Sequence, residues 1–548
     1  MKNTKKQKKI YRLKYITIDE VVKYYLKLQH DGAFDGVKLE FIPSVYSSDP
    51  QPKVINKGDS SRKSINLLSE KFIYLIHLIR NRQIANYGGI APFSATMLES
   101  IFGKDYKRMI ATLLKMGLLQ CDFYYYIGEK SYGYRFYDEV EFTYTLENVG
   151  YLSKYSDKAK KLLEKASTNA EKEAKQNLGN NILYDRYNQS LKLLNMRYMN
   201  DCYRYLSLHN FLSDTSRDYY NYIVDYYLHD IPIINSIDRN QRIYSIATST
   251  PRLLKPFLNI KFSCDIHNSH PLLFNIILYD YYNISLPLRK QLSLTFTTLS
   301  ITPHNVRRNI RRLLINSGIY GDEIAHIPAD VLSYMYITTI GRFWDMVIAT
   351  DNDDTLLLRS DIKVLMFAEV FYSKKLTTRG KKYAKVFRRQ FPNVYKVVRK
   401  QKESNRTRLA NDMMKLESKL FHEILMKLYN KRYKVVSIHD AIVVLDVKAN
   451  KNCTVDVVRD IITKIYTSAG LHPDISVDYY GKEYVEKVLE DEERVNRLIT
   501  SFTMDLHNLC EEGDEEANQI KRQLDRFEIE LLPSQDYSKV LLHPRKIR

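Results

Sequence analysis

The chain has 548 residues, 44% hydrophobic and 27% charged, which excludes a disordered or fibrous protein and leaves room for several cores. Lys plus Arg number 84 against 64 Asp plus Glu, a formal +20 that suits a polyanionic partner, since each phosphate neutralised releases counterions. No stretch reaches the about 20 apolar residues of a membrane span, the basic start lacks a signal-peptide run, and the five scattered cysteines form no C-x-x-C pair, so an intracellular, soluble protein without a disulfide or zinc framework is expected.

In chain order, SVYSSDPQPKVINKGDSSRK (45–64) reads as a linker, making residues 1–64 an N-terminal extension. INLLSEKFIYLIHLIRNRQ (65–83), SATMLESIFG (94–103) and KDYKRMIATLLKMGLL (104–119) have helical periodicity, with Gly103 at the break. The aromatic, β-rich CDFYYYIGEKSYGYRFYDEVEFTYTL (121–146) follows, turning at Gly128-Glu129-Lys130. Three helices and a hairpin predict a winged-helix-like domain over 65–147, with 104–119 entering a groove of DNA and the Lys130 turn as the wing. A packing module that touches no nucleic acid has the same pattern. Residues 148–234 are helical and charged, and are expected to form one thumb-like region. Short strands and turns occupy 235–300, helices fill 301–430, and strands return in YKVVSIHDAIVVLDV and DISVDYY, with a last helical region inside 431–548. The fold class is therefore α+β, with a helical insertion splitting a strand-rich centre.

Three segments carry candidate chemistry. Asp265 ends the β-like run Ile260–Cys264, and Pro271 starts a helix after it. His439-Asp440 sits between two apolar β-branched runs, at a hairpin turn. Between them, Arg359, Lys363, Phe367 and Phe371 recur every four residues, one slowly drifting stripe on a helix. Each alone has a bland explanation: a helix cap, an ordinary turn, an amphipathic helix with two solvated cations. Together they offer what phosphoryl transfer needs, two carboxylates for a pair of divalent ions and a cationic helix for a triphosphate.

In that order the segments resemble motifs A, B and C of family A DNA polymerases and the related phage-type single-subunit RNA polymerases, over about residues 235–485. The resemblance implies a right-hand fold of palm, fingers and thumb, with palm parts at 235–300 and 431–548 and fingers at 301–430. It implies two Mg²⁺ ions, replaceable by Mn²⁺, held by Asp265 and Asp440, with Lys363 in the chemistry and Arg359, Lys363, Phe367, Phe371 and His270 around the nucleotide. DRNQRIYSIATSTPRLL (238–254) is similar to the family segment that handles primer and template, which carries over Arg242 and Arg252. His439, and Asn411 and Lys415 on RTRLANDMMKLESKLF, are further nucleic-acid contacts by the same likeness, beside Lys130 in the wing. The chain departs from the family at Tyr372, where a glycine follows the last aromatic, and at Ala441, where DNA polymerases often carry Glu.

Position five after the metal aspartate faces the incoming sugar in that family, and His270 is bulky enough to exclude a 2′-hydroxyl. Phe371 lacks the hydroxyl that helps RNA-making relatives select ribose. A DNA-directed DNA polymerase without proofreading, replicating a phage, plasmid or mobile element, is the expectation. Its partners would be primer–template DNA, nucleoside triphosphates and replication accessory proteins. A single-subunit RNA polymerase or primase is the alternative. A non-catalytic winged-helix replication factor is the alternative of another class, and it would leave Asp265 and Asp440 unrelated in space.

Overall fold

The structure, a computed structural model, describes residues 8–14, 16–33, 59–86, 88–122, 131–147, 171–208, 214–301, 305–344, 366–372, 378–403, 408–511, 514–516, 518–520, 529–530 and 541–542. The chain divides into two compact units: residues 1–171, 200–231 and 489–548 form one, and 172–199 with 232–488 the other.

In the first unit, strand β1 (Lys8–Leu13) leads into helix α1 (Ile18–His30), which a reciprocal capping box starts: Glu20 N–H donates to Thr17 Oγ1 and Thr17 N–H to the Glu20 carboxylate. Helix α2 (Asp59–Ala85) is followed by β2 (Ala91–Pro92), α3 (Ala95–Phe102), α4 (Tyr106–Lys115), β3 (Leu119–Cys121), β4 (Gly133–Phe136) and β5 (Phe142–Glu147). Gly103 ends α3 at φ 75, a left-handed position that only glycine takes without strain. The small sheet runs β2-β4-β3, all antiparallel. Phe72, Leu75, Ile79, Met109, Ile110 and Phe136 fill the core beneath it. The Gln83 amide meets both backbone groups of Phe136, at 3.0 and 3.1 Å, so α2 is hydrogen-bonded to β4 like an extra strand position.

Three expectations change here. Residues 121–146 are not one hairpin, because β5 leaves the small sheet and pairs with β1, Tyr11 opposite Tyr144. The stretch 1–64 is not all extension, because α1 buries Val21, Val22, Tyr25 and Leu28 in the same core, against α2 and α4. The span 148–234 is divided between the units rather than forming one helical region. Helix α5 (Asp214–His229) belongs to the first unit, where Asp218 pairs with Arg80 of α2 at 2.6 Å. Helix Asn181–Leu191 belongs to the second, where the Tyr187 hydroxyl donates to Ser437 O at 2.8 Å.

The second unit is built on a four-stranded antiparallel sheet. After the hairpin of β6 (Ile234–Ile237) and β7 (Ile243–Ser245), strand β8 (Ile260–Ile266) takes the centre. Its partners are β9 (Val435–Ile438), β10 (Ala441–Leu445) and β11 (Ile475–Tyr479), in the order β11-β8-β10-β9. Every residue of β10 is buried, as a central strand with few polar side chains should be. Between β8 and β9 the described chain is helical: α6 (Ser269–Tyr281), Leu286–Thr298, α7 (Val306–Asn316), α8 (Ala329–Thr339), a π-helical turn at Met366–Tyr372, Thr378–Gln390, Pro392–Glu403 and α9 (Arg408–Asn430). Helix α8 is buried on all sides from Asp330 to Thr339, and packs against both α6 and α7. Helix α10 (Val455–Ser468) packs against α9 and β8.

Candidate active site

The register of the sheet places Asp265 and Asp440 together. Asp265 of β8 stands opposite Ala441 of β10, and Asp440 is the residue just before Ala441. Ile438 pairs with Ala441, so His439-Asp440 is a two-residue hairpin loop, and Ile266 N–H donates to Asp440 O at 3.1 Å. Such loops need positive φ at their first residue, which His439 adopts at 54°. For a residue with a side chain this costs about 1–2 kcal/mol, which the paired strands on either side hold in place.

Both carboxylates are half-buried. Burial and the nearby Glu417 charge push the Asp440 carboxyl above its ordinary range. Lys255, on the 3₁₀ turn Arg252–Phe257, is pulled down by burial and up by the charges of Asp265 and Asp440, so its ammonium lies in their field. Among the described residues no group of three or more His, Cys, Asp or Glu could hold a metal ion by protein ligands alone. Two hard carboxylates still fit Mg²⁺ or Mn²⁺, because Mg²⁺ sites commonly use one or two carboxylates and complete their shell with water and substrate phosphates.

Beside the aspartates lies a buried polar network that the sequence pattern did not announce. The Glu417 side chain of α9, 6% exposed, pairs with Arg242 and stands 3.3 Å from His270 Nε2, while Ser269 Oγ donates to it at 2.9 Å. Burial pushes this carboxyl up, but its bonds and charges to His270 and Arg242 outweigh burial and hold it at about 2. The Arg242 guanidinium also reaches His270 Nε2 at 3.1 Å, and His270 Nδ1 bonds with the Tyr372 hydroxyl. Arg242 therefore has an internal ionic partner. A cavity of about 50 Å³ lies between Arg242, Glu417, His422 and His439, room for a water rather than a nucleotide.

Arg252 is exposed at the start of its turn and Lys415 is exposed on α9, while Asn411 accepts from Asn240 Nδ2 at 3.2 Å. Arg359, Lys363 and Lys130 lie outside the described residues, and of Phe367 only the backbone is described. Phe371 is 3% exposed, its ring 5.8 Å from Phe274 and 5.5 Å from Phe387, in an aromatic cluster. The reason is the π-helical turn. Its i→i+5 bonding shifts the register by a residue relative to an α-helix, so Tyr372 turns toward His270 and Phe371 into the core.

A cationic helix does stand in the described chain, at α7. Val306, Ile310 and Leu314 are buried, Arg311 donates to Ala325 O and Ile327 O, and Arg307, Arg308 and Arg312 are exposed. No carboxylate among the described residues pairs with those three arginines. Arg308 and Arg312 are four apart, and Tyr320, 77% exposed, lies beyond the end of α7 with Gly321 following it.

The proposed reader helix of the first unit fares differently. On α4, Tyr106 and Met109 through Leu113 are buried, and Arg108 hydrogen-bonds with Tyr25 of α1. Lys104 and Lys107 are exposed at its start. Among the described residues no helix is long and apolar enough to cross a membrane. No protein-family model matches the chain, and no curated protein matches it.

Proposed function

We propose that the chain is a template-directed nucleotidyltransferase, a DNA polymerase without a proofreading exonuclease, with Asp265 and Asp440 as its metal-binding carboxylates. One observation carries the reading: two aspartates, distant in sequence, lie at the same end of adjacent antiparallel strands, Asp265 opposite Ala441 and Asp440 just before it, with the Ile266 N–H donating to Asp440 O. A non-catalytic winged-helix factor gives no reason for that juxtaposition. A pair of Mg²⁺ ions, when bound, would supply charge neutralisation for the triphosphate and for the attacking 3′-oxygen. The work of the chain is to present one carboxylate from each strand at a fixed separation, and to hold His439-Asp440 in a tight loop that cannot drift. Arg308 and Arg312 on α7 are cations this reading offers to the phosphates, beside Arg359 and Lys363, which lie outside the described residues. Guanidinium forks suit phosphate oxygens, which they can bind with two parallel N–H donors.

The bulk of His270, five residues past Asp265, supports a deoxynucleotide substrate. A second reading, an RNA polymerase or primase, is favoured by one observation: the Tyr372 hydroxyl stands where a Phe371 ring was expected. In the first unit, the order helix, strand, helix, helix, strand, strand from α2 to β4 supports a winged-helix-like module, and the exposed Lys104 and Lys107 would offer cations to DNA. Primer extension with Mg²⁺ and either dNTPs or NTPs tests the function. Extension by the wild type, abolished in Asp265→Asn and Asp440→Asn, is expected; no incorporation of either nucleotide class with Mg²⁺ or Mn²⁺ overturns the reading.

A further inference from the structure

We propose that Glu417 is a positioning residue for sugar selection, holding His270 and Arg242 in a single arrangement that Tyr372 closes. The inference deepens the nucleotidyltransferase reading and rests on it. Four separate segments converge on this carboxylate and its histidine. Arg242 ends the β6–β7 loop, Ser269 and His270 open α6, Tyr372 ends the π-helical turn, and Glu417 comes from the middle of α9. Both Glu417 oxygens are committed, Oε1 toward Ser269 and His270, Oε2 to Arg242.

His270 is held at both ring nitrogens, Nε2 donating to Glu417 or, in the other tautomer, accepting from Arg242, and Nδ1 by the Tyr372 hydroxyl. A ring gripped at both ends cannot rotate or swing, so its edge stays at a set place beyond the end of β8. Such an arrangement is not explained by stability alone, because a buried ionic group often contributes no more than well-packed apolar side chains would. It does give one geometry to a side chain whose place decides what fits beside it. Tyr372 also makes the geometry depend on the π-helical turn, since any shift of that turn pulls on His270 through the shared hydrogen bond.

The test is single-nucleotide extension by the full chain, reading the ratio of kcat/KM for dNTP over NTP in wild type, Glu417→Gln, Tyr372→Phe and the double variant. Gln keeps the shape but replaces one acceptor oxygen with a donor, and Phe removes only the hydroxyl. The ratio is expected to fall by about three- to tenfold in each single variant, the effect of one lost hydrogen bond on the discriminating group. The double variant should fall by less than the product of the two, because both act on one histidine. A ratio within about twofold of wild type in both variants, or equal losses for both sugars, makes Glu417 merely structural and overturns the inference while leaving the nucleotidyltransferase reading intact. Should Glu417→Gln fail to fold, Tyr372→Phe decides by the same ratio. If the wild type extends with neither sugar, the functional reading itself falls and takes the inference with it.

Discussion

Helices α4 and α7 are close to equal in length, 10 and 11 residues, and both are amphipathic with basic side chains on one side. Their surroundings differ. Helix α4 has α1 packed against it, buries Ala111 and Thr112 as well as its apolar stripe, and engages Arg108 with Tyr25. Helix α7 packs on α8 through one stripe only, and leaves Arg307, Arg308 and Arg312 in solvent without an acidic partner among the described residues. Like charges four apart on a helix, such as Arg308 and Arg312, cost a few tenths of a kcal/mol each. An uncompensated arginine face is what an anionic ligand would relieve, whereas α4 has already spent most of its surface on its own unit. Amphipathicity therefore identifies a helix, but what packs around it decides whether its charges are free to bind.

The largest expected effect lies with the aspartates that α7 would serve. Asp265→Asn or Asp440→Asn should lower kcat of nucleotide addition by about a thousandfold or more, since metal-borne charge stabilisation is worth several kcal/mol and each 1.36 kcal/mol is tenfold. DNA affinity, measured by anisotropy, should stay close to wild type. Activity near that of the wild type in either variant would remove the site from the sheet.

Next comes the packing that covers α4. Tyr25 is 5% exposed between α2 and α4, its ring 5.7 Å from Phe72. Tyr25→Ala should destabilise the first unit by about 3–5 kcal/mol, the range for truncating a buried aromatic. Urea unfolding followed by far-UV circular dichroism measures it; a loss under about 1 kcal/mol would mean that α1 only rests on α4.

The comparison sharpens with matched charge removals. Arg308→Ala and Arg312→Ala should each lower kcat/KM for the nucleotide by about ten- to a hundredfold, as charge-assisted hydrogen bonds contribute about 1.5–3 kcal/mol. Lys107→Ala on α4 should leave kcat/KM within about twofold, and change duplex affinity only by the salt-dependent share of one phosphate contact. If Lys107→Ala costs more than Arg312→Ala, the roles assigned to the two helices are reversed.

The smallest effect is on acid stability. The Glu417 carboxyl titrates at about 2 in the folded chain against an ordinary value near 4.5. Its depressed pKa contributes stability that is complete above pH 4.5 and is lost as the pH falls toward 2. Thermal unfolding between pH 5 and 2 should show a shallower acid limb for Glu417→Gln than for wild type. Parallel limbs would show that Arg242 and His270 do not hold this carboxylate.

What the sequence determined by itself is local. β-branched runs on both sides of His439-Asp440 require strands and a tight loop, and the run Ile260–Cys264 delivers Asp265 to a strand end, so each aspartate could be read from its neighbours. Their meeting was legible only through the order of three motifs, and the pairing of β8 with β10 brings the two residues side by side. Tertiary structure decided the rest because those features depend on distant partners. Glu417 looks like any glutamate on a charged helix until Arg242, Ser269 and His270 arrive from other segments. Phe371 and Tyr372 differ in sequence by one step, and a π-helical turn, which no spacing rule anticipates, sends one to the core and the other to His270. The strand Lys8–Leu13 could not be foreseen as the partner of Phe142–Glu147, since strand pairing is a choice among all exposed edges and carries no local mark. The charges on α4 and α7 were equally visible in the sequence; their exposure is set by what packs beside each helix, and that information is spread over the whole chain.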